Sequence, residues 1–540
     1  MKTYMAGWVF GVVVVGALSA SAVTEAGTIY VDFNASGNND GTSWEDAFTD
    51  LQDAITECAS DEIWVAAATY KPDASDRGVS FVLKNNCAIY GGFVGDETSL
   101  SQRDPKTNET ILSGDLSGDD GPAAFEDNDE NSYHVVIGSN TDATAILDGF
   151  TIKRGNADGT GANQDEGGGL FADSGTPRIA NCRFTENHSK EGGGAYFEDG
   201  SDALMVRCIF DANRSTGGPQ AGRGGAMCIA SSSPKFVNCE FKNNDGYDGG
   251  VVYLGRMTDG ASSDATFTNC LFFSNVAEDE GGAVYSGNSE PTFSNCTFRD
   301  NDATSAGGIK NVKDLPIFPP VVTVVNSIFW GNTHNGTADE TQQLGVVSSA
   351  VNDVTYSDIQ DCNTGSGGLC ESAGDYNIDD DPRFVSASDS RVDSFSPTID
   401  LGSDSAIPAD VADLDGDSNT SEATPLDLDE NARESDGDGV GGAVVDMGPY
   451  EFRCNVNGDC EQDANPCTSH DCVSNGCKTV NKPFRTDCDD GLFCNGDDEC
   501  NGQGSCTHAG DPCTSPDLCC ETDDTCYDPT ANPPEHCGAQ

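Results

Sequence analysis

Between Leu147 and Asn332 the chain repeats two short blocks in alternation, and this repeat limits its possible folds more than any other feature. The first block is a glycine pair followed by small or apolar residues: Gly168-Gly169, Gly193-Gly194, Gly224-Gly225, Gly249-Gly250, Gly281-Gly282 and Gly307-Gly308. The second is "NCRFTEN" from Asn181, "RCIFDAN" from Arg207, "NCEFKNN" from Asn238, "NCLFFSN" from Asn269, "NCTFRDN" from Asn295 and "NSIFWGN" from Asn326. Its cysteines, Cys182, Cys208, Cys239, Cys270 and Cys296, recur 26 or 31 residues apart. A period of that length marks a stack of repeated units. The apolar residues alternate with a period of two rather than at helical spacing, so each unit is built from short strands.

The alternation also requires a bend. In "PTFSNCTF", Phe293 and Phe298 differ in parity, so one straight strand would point them to opposite faces. Both are large and apolar and should share an interior. The chain must therefore turn at Asn295, in the left-handed conformation that asparagine tolerates. Each unit thus predicts two or three short strands coiling once around an apolar centre. Successive coils would stack at the strand spacing of about 4.8 Å. Equivalent residues then form ladders: Asn on Asn at the turn, Cys on Cys and Phe on Phe inside. Glycine pairs mark bends with no room for a side chain, and polar stretches such as "NRSTGGPQAGR" are loops. The predicted fold class is all-β: a right-handed parallel β-helix solenoid, whose units cannot bury their core alone.

These blocks resemble the repeats of polymorphic outer-membrane proteins, secreted right-handed β-helix surface proteins. The first block matches at Gly224-Gly225-Ala226-Met227 and Gly281-Gly282-Ala283-Val284, the second from Phe184–Asn187 through Phe329–Asn332. Such proteins usually end in a membrane β-barrel. This chain shows no run of long alternating strands and ends in cysteine-rich sequence, so self-export and outer-membrane insertion do not carry over.

The ends of the solenoid need caps against edge-to-edge association. At the N-terminal end, Thr28–Asp32 reads as a strand, and Ser43 as the cap of a helix with apolar face Trp44, Ala47, Phe48, Leu51 and Ile55. Strands "EIWVA", "SFVLK" and "CAIYGGF" follow, and residues 28–146 form the cap and first coils. This segment resembles the leader of bacterial secreted β-helix proteins. Residues 147–380 carry the repeats. Residues 381–452, with "DPRFV", "SPTIDLGSDSAIP", "DLDGD" and "VVDMGPYEF", resemble the closing segment of those proteins, the choice-of-anchor Q domain. Residues 453–540 form a cysteine-rich module with fourteen of the chain's 24 cysteines and almost no apolar residues. Disulfides must hold such a module; zinc would need paired Cys-x-x-Cys spacings that are missing.

Residues 1–22 read as a signal peptide: Lys2, an apolar run from Trp8 to Leu18 too short to span a bilayer, and the small residues Ala20-Ser21-Ala22. The expectation is a secreted protein, extracellular or at the outer surface of the cell envelope, with no transmembrane segment. Its formal charge is −64, from 91 acidic and 27 basic residues. Nucleic acid is excluded as a partner, because phosphate contacts need a basic surface. An extracellular glycan or surface matrix is the expected partner.

No catalytic residue stands out. The arginines of the solenoid, Arg154, Arg178, Arg183, Arg207, Arg214, Arg223, Arg256 and Arg299, are scattered without a lyase signature. His134 has no acid–base partner that the sequence can place beside it. The ladder cysteines read as buried and inert. Two readings stand for one acidic loop, a calcium site or a solvated acidic turn: Asp413, Asp415 and Asp417 alternate in a glycine-containing loop, with Asn419 next in parity. Such carboxylates suit a hard cation, although Gly416 and Ser418 break the EF-hand pattern. Asp127, Asp129 and Asn131, and Asp436 and Asp438, form weaker versions. The functional expectation is adhesion, matrix building or display without catalysis. The alternative is a calcium-dependent lyase, or another carbohydrate-active enzyme, acting on acidic glycans. A third reading is passive sugar binding.

Overall fold

The computed structural model describes residues 27–453, except 122–124, 219–220, 256–262, 314, 316–318, 335, 363–367, 371–373 and 434–442, together with parts of 454–527. The signal-peptide segment 1–22, Arg256, Asp436 and Asp438 lie outside the described residues. Four parallel sheets of eleven, ten, seven and nine strands wrap one interior. One coil runs through Arg178–Ala180 in the first sheet, Arg183–Thr185 in the second, His188–Ser189 in the third and Ala195–Glu198 in the fourth. It re-enters the first sheet at Leu204–Val206. The sequence predicts two or three strands per coil; the third sheet adds a fourth. Its strands are mostly only two residues long, too short for alternation to register.

The predicted bend is present in every second block. Asn181, Arg207, Asn238, Asn269, Asn295 and Asn326 all have φ between 50° and 55°. Each bend lets the residues on either side face inward. Phe184, Phe210, Phe241, Phe272, Phe298 and Phe329 pair in register. Their rings stack at 4.3–5.4 Å. Phe236, Phe267 and Phe293 make a second stack at 4.7 and 4.9 Å, edge-on to the first. All nine are fully buried, each contributing about 1.5–3 kcal/mol by transfer from water. The ladder cysteines are buried with free thiols.

The asparagine ladder differs in place from the one expected. At the bend only Asn269 reaches a like neighbour, donating to Asn238 at 3.0 Å. The continuous row comes from the last residue of each second block: Asn187, Asn213, Asn244, Asn275, Asn301 and Asn332, all fully buried. Each Nδ2 donates to the next Oδ1 at 2.8–3.0 Å. From Asn213 onward it also donates to a Phe carbonyl at 2.9–3.0 Å. Gln343 ends the row, accepting from Asn332 at 2.6 Å.

Glycines sit where coils come closest. A Cβ on Gly193 would lie 2.4 Å from the Arg214 carbonyl oxygen and 2.5 Å from that of Gly225. The neighbouring Gly224 has φ 66°, conformational space that L side chains rarely enter.

The N-terminal helix is shorter than predicted. It spans Leu51–Glu57, and Asp50, not Ser43, caps it by accepting from the Gln52 amide. Phe48 explains the late start: its backbone exchanges hydrogen bonds with Tyr30 and Asp32 and is committed to extended pairing. Leu51, Ala54 and Ile55 still cover the end of the interior, and a Cys58–Cys87 disulfide ties the helix to the coils.

The described residues of 381–452 run along the flank as a strap over the row of bends. Bend side chains donate to strap carbonyls: Asn326 to Ser403 at 3.1 Å, Asn295 to Asp446 at 3.5 Å, Asn269 to Leu426 at 2.8 Å and Asn238 to Asp427 at 2.6 Å. Arg207 donates to Leu414 and Arg178 to Ala412, at 3.0 and 3.1 Å. This use of the bend side chains displaces the Asn-on-Asn ladder. The described parts of the cysteine-rich module are antiparallel hairpins with disulfides Cys454–Cys472, Cys460–Cys477 and Cys467–Cys500.

Candidate functional site

Two places on the flank gather polar chemistry. The first is the strap loop from Asp410 to Glu422. Asp413 (φ 53°), Gly416 (φ 75°) and Ser418 (φ 69°) curl it. One carboxylate oxygen from each of Asp413, Asp415 and Asp417 lies within 4.8 Å of the others, and the same holds for Asp410, Asp415 and Glu422. Asp415 belongs to both groups. Asn419 plays a different part from the one expected: its Oδ1 accepts from Ser421, and its Nδ2 donates to Glu422 at 3.0 Å. It therefore positions a carboxylate and spends its own oxygen on the loop. Sequence reasoning missed Asp410 and Glu422, whose places are set by the loop's curl rather than by alternation. Burial raises the pKa of Asp410, and the charges of Asp415 and Asp413 add to it. Glu422 is raised by desolvation and then by Asp417 and Asp415.

A second acidic group, Asp115, Asp119, Asp120 and Glu130, sits beside the first coils. Here Arg154 already supplies the cation, reaching Asp115 at 3.3 Å and Asp120 at 3.6 Å. Burial still pushes Asp120 up to about 6. Asn131 joins this group by donating to Asp120 at 3.0 Å; Asp127 and Asp129 stand outside it.

The second place is a groove of about 1120 Å³ between the 100–110 loop, the second sheet and the strap. Arg103, Lys106, Arg183 and Arg207 line it with Glu109, Glu240 and Glu430. Four cations against three carboxylates contrast with a chain carrying more than three acids per base. Arg103 pairs with Asp148 at 2.8 Å, Arg207 with Glu430 at 2.8 Å, and Arg183 with Asp211. Lys106 makes no ion pair among the described residues.

The other described arginines are engaged too. Arg214 pairs with Asp245 and Arg223 with Glu191, while Arg299 donates to the Asp389 and Ser386 carbonyls. His134 is buried, holds the Gly167 carbonyl at 3.0 Å and has its pKa lowered by burial. One further row, not legible in the repeat pattern, is formed by the residues that precede the glycine runs. Glu166, Glu191, Arg223, Asp248 and Glu280 stack in register, and the Arg223 guanidinium lies over the Tyr253 ring at 4.9 Å. Burial leads in raising Glu166 and Glu198 to about 7.

A family model described as "Right handed beta helix region" matches residues 118–343. Among solved structures, the crystal structure of pectate lyase Pel9A is similar with a TM-score of 0.40 and 11% identity, over 80% of this chain and 97% of that one. A rhamnogalacturonan lyase is similar with a TM-score of 0.29 and 15% identity, over 67% of this chain and 91% of that one. No curated protein matches the sequence. The four parallel sheets and the matched region together show a right-handed parallel β-helix.

Proposed function

We propose that this protein is an extracellular adhesive or display scaffold, working at the cell surface or in its matrix, that holds an acidic glycan without cleaving it. The observation that carries the reading is the flank groove, where Arg103, Lys106, Arg183 and Arg207 converge on a chain of net charge −64. Guanidinium forks match carboxylates and sugar hydroxyls, and Lys106 offers an uncommitted charge. The described arginines are tied to carboxylates or carbonyls, which suits recognition better than proton abstraction. No helix among the described residues is long and apolar enough to cross a membrane, and the disulfides fit an oxidising compartment.

The test is calorimetric titration with polygalacturonate and with a neutral glucan, while ultraviolet absorbance is followed for unsaturated products. Saturable, salt-sensitive binding of the acidic polymer, weakened about tenfold by Lys106→Ala with Arg183→Ala and giving no product, is expected. Product formation abolished by chelator would replace this reading with the lyase one.

A further inference from the structure

We propose that the strap loop between Asp410 and Glu422 is a divalent-cation site, selective for calcium over magnesium, that locks the strap to the solenoid. Acidic residues abound in this chain, so their clustering carries no weight alone. The decisive feature is Asp410. It is 1% exposed; its Oδ2 accepts from the Leu414 amide at 2.7 Å, and its Oδ1 is buried with no partner. Glu422 repeats the pattern: Oε2 accepts from Asn419, and Oε1 is buried with no partner. Two orphaned carboxylate oxygens are costly to bury. Both residues cluster with Asp415 within 4.8 Å, and Asp415 links them to Asp413 and Asp417.

No described basic side chain forms an ion pair with any of these five carboxylates, in contrast to the Asp115–Asp120 group, where Arg154 takes that place. The donors are all oxygens, which selects a hard cation. Five carboxylates on a curled loop suit the six to eight ligands of calcium better than the strict octahedron of magnesium. The backbone anchors one oxygen of several of them: Ser418 N donates to Asp413 Oδ1 at 2.9 Å, and Asp417 N to Asp415 Oδ1 at 3.2 Å.

The loop's position gives the site its consequence. The carbonyls of Ala412 and Leu414, inside the loop, receive Arg178 and Arg207 from the solenoid. The Ala412 and Leu414 side chains pack with Ala180, Val206 and Val237. A cation that fixes the loop therefore fixes the strap's apolar and polar contacts with three successive coils. It does not depend on the proposed glycan binding, since metal binding is read directly.

The test is calorimetric titration of the chelator-treated full chain with CaCl2 and with MgCl2, alongside Asp410→Asn, Glu422→Gln and the control Asp127→Asn. The parent and Asp127→Asn should show one calcium-selective equivalent above weak background binding, and Asp410→Asn and Glu422→Gln should weaken it at least tenfold. In chelator, Asp410→Asn should melt at or above the parent temperature, because it removes a buried charge and keeps the acceptor for Leu414. That melt separates lost binding from failed folding. With calcium the parent should gain several degrees and Asp410→Asn none. A calcium isotherm and calcium-dependent melt in Asp410→Asn equal to those of the parent would overturn the proposal, as would equal affinity for magnesium in the parent.

Discussion

Two rows of stacked, mostly asparagine positions run along the repeats of this solenoid, one inside and one outside, and they do opposite work. The inner row, Asn187 to Asn332, satisfies itself: every amide is matched by the next coil and by the backbone. The outer row, Asn181 to Asn326, itself adopts the left-handed bend, and mostly turns its side chains outward to a segment from the far end of the sequence. Both rows recur with the same period and belong to the same block. The difference is what borders them: closed backbone on one side, an open flank on the other. A ladder of one residue type is therefore stabilising on its own only where no solvent or partner can reach it.

Breaking the inner row should have the largest effect. Asn275→Ala removes donation to the Phe241 carbonyl and to Asn301 Oδ1, and acceptance from the Asn244 amide and side chain. Buried groups left unpaired cost about 1–3 kcal/mol each, so roughly 3–6 kcal/mol of solenoid stability should be lost. Denaturant unfolding followed by far-ultraviolet dichroism reads this directly, and a loss under about 1 kcal/mol would sink the claim that the row is structural.

The strap should respond to pH where the inner row does not. Asp446 is 1% exposed, and burial leads in pushing its carboxyl up to about 7, although it accepts from the Phe452 and Asp400 amides. In the unfolded chain it ionises near 4. A raised acid takes up a proton on folding, so its contribution to stability is fullest below about 4 and is lost as pH rises toward 7. In chelator, which silences the cation loop, amide exchange in residues 400–452 should be faster at pH 8 than at pH 5 after correction for intrinsic rates. The effect should be of order 10-fold or more. Exchange around Asn244 should not change by this route, and Asp446→Asn should flatten the strap's response. Equal strap protection at the two pH values would remove Asp446 from the account.

The same contrast explains what could be read from the sequence. Phe293, Asn295, Cys296 and Phe298 carry the bend in their parity, because a buried ring cannot change faces without a change of backbone. The inner Asn row was visible as a pattern, but its role was not, since a buried amide and an exposed one look alike in a string of letters. The helix start failed at Phe48, where pairing to Tyr30 outweighed local capping. The strap's place was illegible because it offers backbone carbonyls, which every residue has, to side chains on coils as far as 234 residues away. At the cation loop, Asp413, Asp415 and Asp417 were marked by alternation. Asp410 and Glu422 needed the folded curl to bring them in, and Asn419 followed the alternation without joining the carboxylate groups.

Cutting single outer contacts should cost less and act only on the strap. Asn326→Gly keeps the bend accessible, with φ at 52°, while removing donation to Ser403 O and acceptance from the Ser403 amide. A loss of about 1–2 kcal/mol is expected. It should appear as faster proteolysis of the strap with unchanged unfolding of the solenoid, and a matching drop in the main transition would mean that the outer row also holds the coils.

Arg207 gives the smallest and most informative change, because it is the exception in the outer row. Its φ of 52° suits asparagine better than arginine, so Arg207→Asn should gain up to about 1 kcal/mol at the bend. Against this stand the donation to Leu414 O at 3.0 Å and the ion pair with Glu430. The carbonyl contact contributes about 1 kcal/mol, and the ion pair little, because the Glu430 side chain is 57% exposed. The terms nearly cancel, and the melting temperature should move by no more than a degree or two. Strap proteolysis should still quicken, since the gain falls on the coil and the loss on the strap. A large drop in melting temperature would show that the guanidinium supports the coils themselves. Unchanged strap proteolysis would show that the arginine stands in this row for the sake of the groove that it lines rather than the strap that it holds.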